Sequence, residues 1–229
     1  MGSNKYYTLM ASLPSLSQPF QLRHVPISRL KLYQRLRMLE EDDAGRLQWI
    51  MRLMWWEEQS HETQIDEVVS LRMQEIGVKL AHKSLLEFIR WQLRLRMVIG
   101  ALRLRQQNLQ LPPINFLWGY KDLHRFLLEN WESPVFGLEY QYPFLAEVLS
   151  LLKSRQSLAV ERLILDQVWK KIARCSEGHY FDFEAVVFYV LRWHMAARWA
   201  SYERKRAMRR FDQMVETILT SRVNVEQAF

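Results

Sequence analysis

The pattern of apolar positions is strongest near the carboxyl end, where residues 182–222 contain neither glycine nor proline. Over residues 183–200 apolar side chains fall on nearly every side of a projected helix, whereas beyond Arg204 only one stripe stays apolar. A helix that is apolar all round is buried, and a helix with a single stripe lies on a surface. We predict one continuous or once-kinked helix, roughly 60 Å long at 1.5 Å per residue. Its N-cap is Asp182, and its first half is the most buried helix of the chain.

A second informative pattern covers residues 84–107, which project two apolar faces at 100° per residue. The wider face consists of Phe88, Trp91, Leu95, Val98 and Leu102. The other face consists of Ile89, Leu93, Met97 and Leu104. The pattern predicts a helix sandwiched between two neighbours.

Arginines separate these two faces. Arg90, Arg94 and Arg105 lie along one edge of the projected helix, and Arg96 and Arg103 lie along the other. Such arginines either reach water and pair with acidic groups of the same chain, or contact an acidic partner. Both interpretations stay open from the sequence.

The remaining segments also favour helices. Helical spacing of apolar residues predicts helices starting at Ser28 and over residues 43–58, 63–76, 122–129, 143–152 and 158–174. Residues 6–14 fit either a strand or a first helical turn. We therefore expect an all-α fold, an elongated helical bundle with one very long C-terminal helix. Residues 1–229 form a single domain, with a hinge between sub-domains near residues 108–115, where Pro112 and Pro113 break the chain.

Composition supports a folded helical protein. Apolar residues make up 49% of the chain, and seven glycines and seven prolines in 229 residues disfavour an all-β protein, which would need many tight turns. Cys175 is the only cysteine, so it forms no internal disulfide and favours a reducing compartment. No apolar run approaches the roughly 18 residues needed to span a bilayer. We expect a soluble, cytoplasmic protein.

The sequence contains no recognised catalytic motif. It lacks a glycine-rich phosphate loop, GxSxG, HExxH and a cysteine pair. One ExxH occurs, at residues 58–61, whereas a di-iron bundle needs two such motifs and two further carboxylates. Cys175 has no evident activating partner apart from the nearby His179. We therefore predict no catalytic residue, no cofactor and no metal site.

The formal net charge of +7 raises nucleic-acid binding as an alternative function. The most basic segment is ERKRAMRR at residues 203–210, and the nine tryptophans could stack on bases. The same segment keeps an apolar stripe, however, so its arginines are equally consistent with a solvated helix face. The basic surplus is also spread along the chain, and residues 57–75 are acidic.

Several segments carry a resemblance to a known family. YYTLMASLP (6–14), LRMVIGALRLR (95–105), ERLILDQVW (161–169), YFDFE (180–184) and LRWHMAARW (191–199) are similar to an uncharacterised helical family encoded with bacterial V-type (A-type) ATPase subunits. The matches are diffuse patterns, and residues 46–76 and 109–142 carry none of them.

The resemblance implies a counterpart of the C-type component of the V-type rotary ATPase (the d-type component in eukaryotes), an enzyme that moves ions across a membrane. That component is a non-catalytic, all-helical socket that joins the central shaft, or central stalk, to the rotor ring. It implies partners in those two parts, no nucleic acid, and a cytoplasmic position peripheral to the inner face of the membrane. The candidate partner-binding residues are Arg90, Arg94, Arg105, Arg192 and Arg198. The structural alternative pairs these arginines with Glu161, Asp166 or Glu184.

Overall fold

The computed structural model describes residues 6–16, 18, 20, 24–54, 82–107, 121–202 and 208. Within these ranges the regular structure is entirely helical, which confirms the predicted all-α fold. The helices are α1 (Tyr7–Ser12), α2 (Arg29–Leu36), α3 (Glu41–Met54), α4 (Lys83–Gln106), α5 (Lys121–Glu129), α6 (Leu145–Lys153), α7 (Ser157–Cys175) and α8 (residues 183–202). None of the described helices is long and apolar enough to cross a membrane.

The chain divides into two compact units. Unit 1 is formed by Met1–Glu40 with Phe181–Phe229, and unit 2 by Glu41–Tyr180. Unit 1 therefore contains α1, α2 and α8, and unit 2 contains α3 to α7. The hinge predicted near residues 108–115 lies outside the described residues and stays a prediction, as does the single domain.

Unit 2 is organised around α4, which packs against α5, α6 and α7. Both of its predicted apolar faces are buried, as Leu95 and Val98 on one face and Ile89 and Met97 on the other show. Trp91, also on the wider face, is only half-buried, and its ring centroid lies 6.3 Å from that of Tyr142. The prediction of a sandwiched helix is confirmed.

Unit 1 is organised around α8, which is buried on most of its circumference. Val187 and Leu191 are buried, as are Phe188 and Trp193. Asp182 caps the helix, because its Oδ1 accepts the Ala185 N–H at 2.9 Å. Beyond residue 202 only Met208 is described; it is helical and exposed. The buried first half is thus confirmed, and the very long helix stays a prediction.

The short helices of unit 1 have local causes. Ser28 accepts the Lys31 N–H and caps α2, as the sequence predicts, while Leu32 and Leu36 turn inward. The amino-terminal segment, which fits strand or helix by sequence, is the helix α1. Arg35 of α2 donates a hydrogen bond from Nη1 to the Ser12 carbonyl at the end of α1, so a cation meets the negative end of that helix dipole.

Candidate partner-binding surface

Three of the five candidate arginines lie on α4 in unit 2, and they differ in surroundings. Arg90 is exposed, whereas Arg94 and Arg105 are half-buried. Since residues four apart on a helix are neighbours, Arg90 and Arg94 lie side by side. Arg105 lies about three turns further along, in the last turn of the helix.

Arg105 anchors a loop of its own chain. Its Nη1 donates to the carbonyl oxygens of Trp131 at 3.0 Å and Ser133 at 2.5 Å, and its Nη2 donates to that of Pro134. The guanidinium carbon also lies 4.7 Å from the centroid of the Phe136 ring. Burial lowers the pKa of Arg105, while the nearby Glu132 acts in the opposite direction. Arg105 therefore has backbone partners within unit 2, rather than the acidic side chains of the structural alternative.

The loop that Arg105 contacts has an unusual backbone conformation and receives hydrogen bonds from several side chains. Phe136 and Gly137 follow one another with φ of 59° and 69°, a left-handed conformation that is unfavourable for a bulky residue such as phenylalanine. Ser133 Oγ accepts the Gly137 N–H at 3.1 Å, and Asn130 Nδ2 donates to the Phe126 carbonyl at 2.9 Å. The Ser133 carbonyl also accepts the Phe136 N–H at 3.2 Å, and the guanidinium adds donors to it and to the carbonyls of Trp131 and Pro134.

Among the three candidates on α4, Arg94 is the one with a buried donor left unused. Its Nε is buried and has no hydrogen-bond partner within the described parts of the chain. A buried donor without a partner is costly, because its bond to water is lost without replacement. A carboxylate approaching the edge that Arg90 and Arg94 share would meet the exposed Arg90 and be attracted by the positive charge of Arg94, while the buried Nε stays out of its reach. The pair therefore forms a cationic site suited to an acidic side chain.

The opposite edge of α4 carries a structural arginine. Arg96 Nη1 donates to the carbonyl oxygens of Leu53 and Met54, each at 3.2 Å, at the carboxyl end of α3. The last carbonyls of a helix have no partner within it, and a cation there also complements the helix dipole. The sequence places Arg96 correctly on the second edge but does not reveal this partner.

The other two candidates lie on α8 in unit 1. Arg192 is half-buried, and burial lowers its pKa. Arg198 is exposed, and its guanidinium carbon lies 5.7 Å from the centroid of the Tyr202 ring. Of the two, Arg198 is the more exposed.

A polar cluster that the sequence does not reveal joins α4 to the end of α7. Ser84 Oγ lies 2.8 Å from Nε2 of His179, and Lys171 donates a hydrogen bond to Glu87. Burial raises the pKa of the half-buried Cys175 thiol, against the influence of Lys171. A raised thiol pKa is opposite to the change that activates a cysteine nucleophile. The cluster therefore links the two helices through hydrogen bonds.

Several predictions fall on residues outside the described ranges. They concern the helix over residues 63–76, the acidic residues 57–75, the ExxH at residues 58–61 and, apart from Met208, the basic segment 203–210. The alternative of nucleic-acid binding through the basic segment accordingly stays a prediction.

The described residues thus define an all-α protein with an arginine-edged central helix in unit 2. The chain belongs to the family described as "Protein of unknown function (DUF2764)", which it matches over residues 48–221. No curated protein matches the chain. No solved structure matches it either.

Proposed function

We propose that this protein is a non-catalytic adaptor of a V-type (A-type) rotary ATPase, coupling the central shaft to the membrane rotor ring. It would lie in the cytoplasm, peripheral to the inner face of the membrane. Its partners would be the shaft and ring subunits, and it would need neither a cofactor nor a metal. The proposal starts from the sequence resemblance, which includes the segments at residues 95–105 and 191–199. The all-helical architecture of the described residues is compatible with it.

The observation that carries the proposal is the Arg90–Arg94 pair on α4. Arg90 is exposed and Arg94, one turn further along, is half-buried, so two positive charges share one edge of the helix. An acidic side chain of a shaft protein would meet both cations, and fixed charges of this kind steer and orient a partner. Arg105 contributes less directly, since its guanidinium already holds the loop around Ser133.

A binding experiment with charge-reversed variants tests the proposal. The full chain is mixed with the purified central-shaft protein, and the Kd is measured for the native protein and for the double variant R90E/R94E. We expect the double variant to bind at least about tenfold more weakly, the loss that roughly 1.4 kcal/mol produces. The single variant R90E, which changes only the exposed position, should weaken binding in the same direction and leave the melting temperature unchanged.

The matched control is R52E, which reverses a charge at an exposed position of α3. It should leave the Kd unchanged at moderate ionic strength. Native protein that binds neither shaft nor ring subunits would overturn the adaptor assignment. Binding to single-stranded nucleic acid that weakens steeply with salt would favour the alternative function instead.

A further inference from the structure

The outward face of α2 in unit 1 combines exposed apolar side chains with cations. Leu30 is 70% exposed, Met38 47% and Tyr33 41%. At 100° per residue Leu30 lies about 160° around the helix axis from the buried Leu32. The leucine therefore lies near the side of the helix that faces solvent, where a polar residue is the usual choice.

The charge of this face has one sign. Residues 24–39 contain four cations and no acidic residue, and the exposed Glu40 follows directly after them. Arg35 turns inward to the Ser12 carbonyl, while Arg29, Lys31 and Arg37 are exposed. The guanidinium carbon of Arg29 lies 5.4 Å from the centroid of the Tyr33 ring, so aromatic and cation already form one surface. The cations thus surround the apolar side chains.

The helix itself is firmly placed within unit 1. Its first turn is capped by Ser28, and Leu32 and Leu36 are buried. Every other residue of α2 except Arg35 is exposed, so one side of the helix lies on the surface of its unit. The exposed side is convex and is held in place by the buried leucines. A flat or deformable partner can cover such a surface.

We propose that the α2 face, defined as Arg29, Leu30, Lys31, Tyr33, Arg37 and Met38, binds the surface of an anionic lipid bilayer. Cations attract acidic headgroups while leucine, tyrosine and methionine enter the boundary between headgroups and acyl chains. Nucleic acid would match the charge but would leave Leu30 without an apolar environment. A partner protein would need a groove shaped to the convex helix, whereas a bilayer needs none. This inference goes beyond the adaptor function and does not depend on it.

Vesicle flotation with the full chain tests the inference. The probe is a set of vesicles of phosphatidylglycerol and phosphatidylcholine in equal parts, compared with phosphatidylcholine alone. We expect binding to the anionic vesicles, at least about tenfold weaker binding to the neutral ones, and weakening as salt rises, because each surface cation contributes to attraction by acidic lipid. Equal binding to both vesicles, or none to the anionic ones, would overturn the proposal.

Substitutions separate insertion from simple charge attraction. L30S and Y33S remove apolar groups that would enter the boundary, and each should weaken binding by about fivefold to tenfold. R37E should also weaken binding, whereas the controls Y140S and R52E change exposed residues of unit 2 and should have no effect. If R37E weakens binding while L30S and Y33S do not, the face is an electrostatic site for acidic polymers and the bilayer assignment is wrong. Loss of vesicle binding with shaft binding retained would leave the adaptor function standing.

Discussion

The central helices of the two units both donate side-chain hydrogen bonds to backbone carbonyls of other segments, but they use different kinds of donor. In unit 2, α4 uses charged donors, since Arg96 and Arg105 donate to carbonyls at the end of α3 and in the loop after α5. In unit 1, α8 uses neutral donors. Tyr189 Oη donates to the Pro14 carbonyl at 2.9 Å, and Trp193 Nε1 donates to the Ile27 carbonyl at 2.8 Å.

The difference follows from how much water each helix can reach. α8 is buried on most sides, and burial penalises the charged forms of three of its side chains. Burial lowers the pKa of Arg192, lowers that of His194 to about 4 with help from Arg29, and raises that of Tyr189 to about 12. The edges of α4 reach solvent, so arginines there keep part of their hydration. An arginine can bind backbone carbonyls at low cost where its guanidinium keeps part of its contact with water, because burying a charge completely is expensive.

The largest expected effect concerns the core of α4. Leu95 is 1% exposed, so the Leu95→Ala variant should lower the free energy of unfolding by about 2–5 kcal/mol through lost burial and the cavity left behind. Urea unfolding followed by circular dichroism measures the change. Leu158→Ala, at an exposed leucine of α7, is the control and should have little effect. A loss below about 0.5 kcal/mol at Leu95 would show that this face is not core.

Acid should destabilise unit 1 through His194. Its pKa is lowered from 6.5 to about 4 in the folded chain, so as pH falls the unfolded chain takes up the proton first. The contribution of His194 to the free energy of unfolding is fully present above about pH 6.5. It is lost as the pH falls from there to about 4, and the loss is roughly 3 kcal/mol at most. The H194Q variant should flatten this part of a stability–pH curve.

The control for the acid effect is H24Q, at an exposed histidine of the same unit. It should keep the native pH dependence. If the stability–pH curve of H194Q matches that of the native protein, the acid sensitivity belongs to other groups and not to the buried histidine of α8.

Removing the charged anchor of α4 should have a smaller effect. R105M keeps much of the apolar stem and removes the donors to three carbonyls, which should cost about 2 kcal/mol of unfolding free energy. Hydrogen exchange should rise at the amides around Ser133 and Gly137. R103M, at an exposed position of the same helix, should change neither quantity. If exchange in the loop stays slow in R105M, the guanidinium does not hold it.

The smallest effect is expected for the neutral anchor of α8. Y189F removes one hydroxyl and leaves the Pro14 carbonyl without that donor, at a cost of about 1 kcal/mol. Thermal unfolding of Y189F should show a lowered midpoint beside an unchanged Y140F, whose ring is exposed. If Y189F lowers the free energy of unfolding more than R105M does, the neutral donor of α8 contributes more than the charged donor of α4, and the expected order is wrong.

Local signals in the sequence predict local structure well. The caps Ser28 and Asp182 are found because a cap acts within its own first turn. The two buried faces of α4, including Leu95, follow from a period that needs no knowledge of the neighbours. The helix predicted from residue 43 begins at Glu41 instead, because a run of acidic residues is favourable in a first turn.

Partners distant in sequence are not predictable in the same way. The edge position of Arg105 is visible in the sequence and suggests partner binding, while its carbonyl acceptors lie 26 to 29 residues away. The lowered pKa of His194 likewise arises from packing and from Arg29, which the spacing of residues does not reveal. A backbone carbonyl leaves no signature in the sequence, so such contacts require the three-dimensional structure. The binding roles of Arg90, Arg94, Arg105, Arg192 and Arg198 stay predictions.

The left-handed turn at Phe136 and Gly137 has a consequence for the order of folding. Its conformation is unfavourable by itself, and the guanidinium that holds it comes from Arg105 in α4, which lies before α5 in the chain. The turn can therefore settle only after α4 has formed and the intervening chain has closed into a loop. Contacts that form late barely affect the folding rate and mainly slow unfolding. The contacts between Arg105 and the loop should therefore slow unfolding of the native protein. Stopped-flow measurements on R105M should show faster unfolding with a nearly unchanged refolding rate.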